Sequence, residues 1–207
     1  MEAPSDTDVY RVVKTLASLM RRRGFDSSSW ENLDLPGFHR RYCSQKMVQL
    51  SLLGQERFEN PTSKEVIMFC FPSEVKVGVK PIREFNEKLL AGQASRGILV
   101  LREGISPFGR QALQVSKGTC PLEYFTYAEL KFDLMTHEMV PHHTVLSDAE
   151  KVALLQRYKI KAEQLPRMRH NDAVSRYFGL RKGQVVRIVR KSDTAGSYVT
   201  YRIVTGG

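Results

Sequence analysis

The stretch Gly97–Leu113, GILVLREGISPFGRQAL, holds a strand, a turn and a helix start in one run. Gly97 to Leu101 is short and almost wholly apolar, which predicts a strand buried on both faces. Ser106 and Pro107 follow as N-cap and first helical residue, so a helix is expected from Ser106 onward. The same grammar repeats on either side. Val66–Phe71, VIMFCF, is a second buried strand, with a helix expected between the two near Pro81 to Ala91. Glu123–Tyr127, EYFTY, closes the series as a third strand. Strand, helix, strand, helix, strand implies crossover connections and a mostly parallel α/β sheet with helices on its faces.

Further upstream, Val48, Leu50 and Leu52 alternate with Gln49 and Ser51, the pattern of a half-buried strand. It is expected to form a hairpin with Val66–Phe71 across the polar connection GQERFENPTSKE, residues 54–65. Residues 26–45 read as loop-rich, with a short helix within Trp30 to Arg41. At the start, Ser5-Asp-Thr-Asp8 offers a helix cap, and Val9, Val12, Val13, Leu16, Leu19 and Met20 recur at helical spacing until Gly24. Arg21-Arg22-Arg23 resembles a nucleic-acid patch, yet three cations in a last helical turn also complement the macrodipole, and that reading is preferred.

Beyond Pro141 the pattern changes. HTVLS, residues 143–147, is extended, and Ser147-Asp-Ala-Glu150 is a capping box for a helix with Val152, Leu155 and Tyr158 as its apolar stripe. A second helix begins at Asp172, carries Val174, Tyr177 and Phe178 on one side, and is closed by Gly179. RKGQVVRIVRKSDTAG, residues 181–196, and YVTYRIV, residues 198–204, then form a hairpin studded with arginines. No Gly/Ser linker separates the parts, so domains at 1–141 and 142–207 are expected to abut.

The 207 residues are 42% hydrophobic, enough for one large domain or two small ones. The longest apolar run, Val66–Phe71, is far too short to cross a bilayer, and no membrane partner is expected. The start, MEAPSDTD, is acidic and polar, unlike a signal peptide. Cys43, Cys70 and Cys120 form no CxxC and read as free thiols of a reducing compartment. The formal charge is +10, unevenly spread: residues 142–207 hold 13 Lys and Arg against 5 Asp and Glu. Such a basic region suits a polyanion or an acidic protein surface.

Glu74-Val-Lys76 is the acid-x-lysine triplet that some nucleases use to bind Mg²⁺ and assist the attacking water. Glu129-Leu-Lys131 repeats the pattern, and no second carboxylate accompanies Glu74, so a working nuclease is disfavoured. His137, His142 and His143, with Glu138, lack HExxH spacing, and an extended chain points His142 and His143 apart. GxGxxG, GxxxxGK[ST] and GxSxG are absent. No catalytic residue, metal or cofactor is therefore expected. The helix start at Ser106-Pro107, with Arg110 in its first turn, is a natural phosphate site, although ordinary capping uses the same residues. In the hairpin, Val186 and Ile188 line one face while Val185 and Val189 line the other around Arg187. Two short helices are expected to leave one face uncovered, which makes the hairpin a docking element; a self-contained sandwich is the alternative.

HEMVPHHTVLS (137–147), RYKIKAEQLPRMRHNDAVSRYFGLRKGQVVRIVRKSDTAG (157–196) and YVTYRIV resemble the fifth subunit shared by the eukaryotic nuclear RNA polymerases. The region from about His137 is also similar to the small H-type subunit of archaeal RNA polymerase. FPSEVKVGVKPI (71–82) and REGISPFGRQAL (102–113) resemble the jaw domain of the eukaryotic family. The resemblance implies a restriction-endonuclease-like jaw, a mixed sheet flanked by helices, followed by a small α+β assembly domain. It implies a nuclear, non-catalytic subunit of DNA-directed RNA polymerase without cofactors. The assembly domain would dock on the largest subunit with the sixth small shared subunit nearby, and the jaw would face downstream duplex DNA. The DNA-proximal loops would carry Ser73, Glu74 and Lys76, and Ser106, Pro107 and Arg110. Val75 stands where the family is expected to have proline. Arg187, Arg190 and Arg202 are expected at the docking surface, with Val186, Ile188, Tyr201 and Ile203 packed inward. The rivals are a free-standing basic DNA-binding protein and a metal-dependent nuclease.

Overall fold

Ser5 starts the first helix, α1 (Asp6–Arg22), its hydroxyl accepting from the Asp8 amide at 3.2 Å. Acids in the first turn and Arg21 and Arg22 in the last oppose the macrodipole, and Gly24 ends the helix at φ +83°. The computed structural model describes residues 4–44, 47–116, 120–192 and 196–206. Met1–Ala3 of the acidic start and the hairpin turn at Asp193–Ala195 lie outside the described residues. The chain forms two compact units, Met1–Phe132 and Asp133–Gly207. The expected boundary at 141/142 thus falls inside the second unit. Asp133 belongs there because its carboxylate accepts from the Tyr177 hydroxyl at 2.8 Å.

In the first unit, α2 (Ser28–Glu31) and α3 (Leu35–Tyr42) replace the one short helix expected within Trp30 to Arg41. Asp34 caps α3 by accepting from the Gly37 amide at 2.9 Å, so the chain restarts a helix there rather than continuing one. A small pair, β1 (Cys43–Ser44) and β2 (Met47–Val48), leads to α4 (Leu50–Leu53). The expected strand over Val48 to Leu52 is therefore mostly a helical turn. Leu50 and Leu53 recur at helical spacing, and only Leu53 of that turn is fully buried.

The main sheet holds β3 (Arg57–Glu59), β4 (Val66–Cys70), β6 (Arg96–Leu101) and β8 (Leu122–Thr126), in that order. β5 (Lys76–Val77) and β7 (Gly104–Ile105) form a separate pair. The antiparallel partner of β4 is β3, drawn from the polar connection, where Phe58 is buried between exposed Arg57 and Glu59. β4, β6 and β8 run parallel, joined through α5 (Val79–Ala91) and α6 (Pro107–Ser116). α7 (Tyr127–Leu130) ends the unit, capped by Thr126 and Glu129.

Every residue of β6 from Gly97 to Leu101 is buried, as a central parallel strand requires. Leu99 and Leu101 join Val77, Ile82, Phe85, Leu89, Ile105 and Leu113 on the side of α5 and α6. Alternation sends Ile98 and Val100 to the other face. Trp30, Phe58 and Phe69 cluster with ring centroids 4.6–5.4 Å apart. The indole of Trp30 donates to the Tyr42 hydroxyl at 3.1 Å, which donates to Glu56 at 2.6 Å. Burial, then the bond to Glu56, pushes the Tyr42 phenol up to about 12.

The second unit contains β9 (His142–Val145), α8 (Asp148–Tyr158), β10 (Arg167–Arg169), α9 (Ala173–Phe178), β11 (Val185–Ser192) and β12 (Gly196–Thr205). Its sheet order is β10-β12-β11-β9, with β10 parallel to β12 and the other pairs antiparallel. The capping box of α8 forms as expected, but its inward side chain is Leu154. Of the expected stripe, Leu155 packs against the core beside Leu154, whereas Val152 and Tyr158 are about half exposed.

The base of the β11–β12 hairpin is covered on both faces. Val186, Ile188 and Val204 pack with Met168 and Leu180, and Val185 and Ile203 pack with Leu154 and Leu165. The expectation of one uncovered face is thus corrected. β9 and β10 extend the sheet, and α8 with the segment to Leu165 supplies the second layer. Tyr201 packs beside the Ile203 cluster, so the four residues expected to point inward do so on two opposite faces.

Candidate nucleic-acid interface and docking hairpin

The two expected DNA-proximal loops, distant in sequence, are joined by two-residue strands. Lys76 pairs with Gly104 and Val77 with Ile105, in parallel. The Ser106 amide donates to the Val77 carbonyl at 3.1 Å, extending the junction to the start of α6. The Ser106 hydroxyl accepts from the Gly109 amide at 3.1 Å, the expected N-cap. Around this junction Ser73, Glu74, Val75, Lys76, Pro107, Phe108 and Arg110 are exposed, and Ser106 is half-buried. Buried Val77 and Ile105 anchor the tip to the α5–α6 core.

As an anion site the helix start is reduced. Pro107 has no N–H, the Gly109 amide goes to the Ser106 side chain, and the Arg110 amide goes to the Ser106 carbonyl at 2.9 Å. Phosphate binding here would rest on the Phe108 amide and on the side chains of Lys76 and Arg110. Glu74 precedes β5 in an exposed loop, and among the described residues it belongs to no group of three metal-capable side chains. In the second triplet, Glu129 caps α7 and Lys131 pairs with Asp8 at 3.3 Å. The arginines closing α1 are structural in part: Arg21 meets Glu31 at 2.6 Å and Arg23 meets Glu123 at 2.7 Å.

Strand register separates the three hairpin arginines, all exposed. Arg190 and Arg202 lie on the face of Val186 and Ile188, and Arg187 lies on the other with Val185 and Tyr201. Arg190 stacks over Tyr198, its guanidinium carbon 4.9 Å from the ring centroid. Beyond the covered base, Tyr198 and Val199 are exposed apolar side chains. β10 pairs with β12 only at Ile203–Thr205, so among the described residues the β12 edge before Ile203 has no strand neighbour on that side. Sequence reading missed both features. Tyr198 and Val199 opposite Arg190 and Val189 could have been noted once a register was assumed; the free edge needed β10, which alternation in three residues does not reveal.

The histidines do not converge. His142 is exposed and its Nε2 lies 3.3 Å from the Thr144 hydroxyl, while the His137 Nδ1 accepts from the Met139 amide at 3.2 Å. His143 is buried, with Nδ1 2.7 Å from the Pro141 carbonyl, and burial holds its pKa below the ordinary histidine value.

Two family models match this chain: RNA polymerase Rpb5, N-terminal domain, over residues 5–89, and RNA polymerase Rpb5, C-terminal domain, over residues 132–204. The subunit RPABC1 of DNA-directed RNA polymerases I, II, and III from Caenorhabditis briggsae is 37% identical over 202 residues, covering 95% of each chain. The Caenorhabditis elegans protein of that name is 37% identical over 201 residues, again covering 95% of each. The Dictyostelium discoideum protein is 46% identical over 173 residues, 82% of this chain and 87% of its own. With both domains matched and the relatives aligned nearly end to end, the chain belongs to the Rpb5 family of RNA polymerase subunits.

Proposed function

We propose that this non-catalytic polymerase subunit holds its complex through the second unit and reaches downstream duplex DNA through the tip of the first. The observation that carries the reading is the β5–β7 pairing, which gathers Ser73, Glu74, Lys76, Ser106, Pro107 and Arg110 at one exposed tip. Lys76 and Arg110 supply cations there for phosphate contacts that position a duplex without reading its sequence. The hairpin supports docking in a different way. Its base is fixed by two apolar clusters and exposes Arg187 and Arg202 beside them, while its outer half presents Arg190, Tyr198, Val199 and, among the described residues, an open strand edge. Guanidinium forks and exposed aromatics are what a protein interface uses. The partner is the largest polymerase subunit, with the sixth small shared subunit nearby, and the compartment is the nucleus. The mixed parallel sheet flanked by helices suits a restriction-endonuclease-like jaw.

Affinity purification of the tagged full chain from nuclear extract tests the reading. Stoichiometric recovery of a very large polypeptide with other polymerase subunits is expected. A photo-crosslinking residue placed at Lys76 should then capture DNA in transcribing complexes. Recovery of the chain without large partners, joined to tight sequence-selective DNA binding, would instead identify a free-standing DNA-binding protein.

A further inference from the structure

We propose that Asp6, His39 and Cys43 form a binding site for a borderline transition metal, with Zn²⁺ as the fitting ion. Their ligand atoms, one carboxylate oxygen, one imidazole nitrogen and one sulfur, all lie within 4.8 Å of one another. A tetrahedral zinc with bonds of about 2.0 Å to N and O and about 2.3 Å to S spaces its donors roughly 3.3–3.5 Å apart. Small rotations of the exposed His39 ring and the half-buried Asp6 and Cys43 side chains span that difference.

The three positions are fixed by the fold. His39 and Cys43 are four residues apart, at the end of α3 and at its C-cap, where the Cys43 amide donates to the His39 carbonyl. His39 lies in the last turn of α3 and Cys43 in the extended residue that follows it, and the chain there keeps their ligand atoms within 4.8 Å. Asp6 is the first residue of α1, and α1 packs on α3 through Tyr10 and Phe38, whose ring centroids are 5.5 Å apart. Three different elements' ends therefore converge, all within the first unit.

The donor set narrows the metal. Mg²⁺ and Ca²⁺ take oxygen ligands, whereas thiolate with imidazole and one carboxylate selects Zn²⁺ or its spectroscopic substitute Co²⁺. Three protein ligands leave a fourth position for water. On binding, the Cys43 S–H bond breaks, its proton leaves to solvent, and the sulfur lone pair joins the metal; no electron is transferred. The ion would tie the start of α1 to the end of α3. The sequence hides this site because His39-x₃-Cys43 has no second Cys or His within the usual metal spacing, and Asp6 joins only through packing.

The test is Co²⁺ titration of the metal-free full chain, followed by absorption, with Zn²⁺ displacement and thermal melting. One equivalent should give tetrahedral ligand-field bands and a thiolate-to-metal charge-transfer band, both lost on adding Zn²⁺. A hundredfold excess of Zn²⁺ over its Kd should raise the melting midpoint by roughly 5–10 °C. Cys43→Ser should abolish the charge-transfer band, and His39→Gln and Asp6→Asn should each weaken binding by about tenfold or more. His39 is exposed, so His39→Gln tests the site even if Cys43→Ser fails to fold. The proposal is overturned by an octahedral spectrum, by a charge-transfer band that survives Cys43→Ser, or by affinity unchanged in His39→Gln and Asp6→Asn. The last two results would place the metal on Cys70, Cys120 or the 137–143 histidines.

Discussion

Gly109 sets the geometry of the exposed tip. A Cβ there would stand 2.6 Å from the Ile105 methyl, closer than packed atoms tolerate, and 3.0 Å from the Val77 carbonyl, tighter than most packed contacts. Gly109→Ala should therefore wedge β5 from α6 and destabilise the first unit by about 1–3 kcal/mol, the range for overpacking. A lower midpoint in thermal circular dichroism checks it, and an unchanged midpoint would mean that Ile105 yields freely. Ser106 and Pro107 were legible in the sequence because capping acts over three residues. Gly109 was not, because the backbone part of its constraint comes from Val77, on a strand separated from α6 by an entire helix and two further strands. His143 shows the same limit: its neighbours predict an extended chain, but only pairing with Ile188 explains its burial. With its pKa depressed by burial and by His142 and Arg202, against opposing effects from the Pro141 carbonyl and Asp172, the folded state prefers neutral imidazole. Stability from this residue is complete above the ordinary value of 6.5 and falls as pH drops below it toward the folded value. His143→Gln should narrow the difference between melting midpoints at pH 7 and pH 5. An equal difference in both proteins would exclude His143 as its source.

At the scale of elements, periodicity succeeded where an element is long and buried, as in α1, β6 and the β11–β12 hairpin. It failed for Val48 to Leu52, where five residues satisfy both a strand and a helical turn, and for β5, β7 and β10, which have two or three residues each. Such short strands exist because neighbours hold them, so their signal lies in the fold. The hairpin's register now sharpens its own test. Ile188→Asp buries a charge in the Val186–Val204 cluster and should unfold the second unit, seen as lost circular dichroism. Arg190→Glu with Arg202→Glu changes one exposed face, and Arg187→Glu the other. Both should leave the fold intact, and the face that docks should release the chain from its complex in a pull-down. A buried pairing would cost about 2–5 kcal/mol when reversed, and an exposed rim far less. Full incorporation of all three reversals would remove the arginines from the docking surface.

At the scale of the whole molecule, the charge of +10 does not by itself distinguish a DNA grip from a docking surface. Salt dependence does, because each phosphate contact released by salt contributes about −0.9 to the slope of log K against log salt. The tip exposes Lys76 and Arg110, and Lys80 nearby keeps 89% of its side chain exposed with Glu84 at 3.9 Å. Two or three phosphate contacts would give the tip a slope of roughly −2 to −3. Cations of the second unit add a sequence-independent background in the free chain, so the informative quantity is the change on mutation. Lys76→Ala and Arg110→Ala should each make the slope shallower by about 1 and weaken binding equally for unrelated duplexes. Fluorescence anisotropy of the full chain with two unrelated duplexes across a salt series measures both. If the tip variants leave the slope untouched while the hairpin reversals flatten it, the duplex sits on the hairpin, and the division of labour between the two units must be reversed.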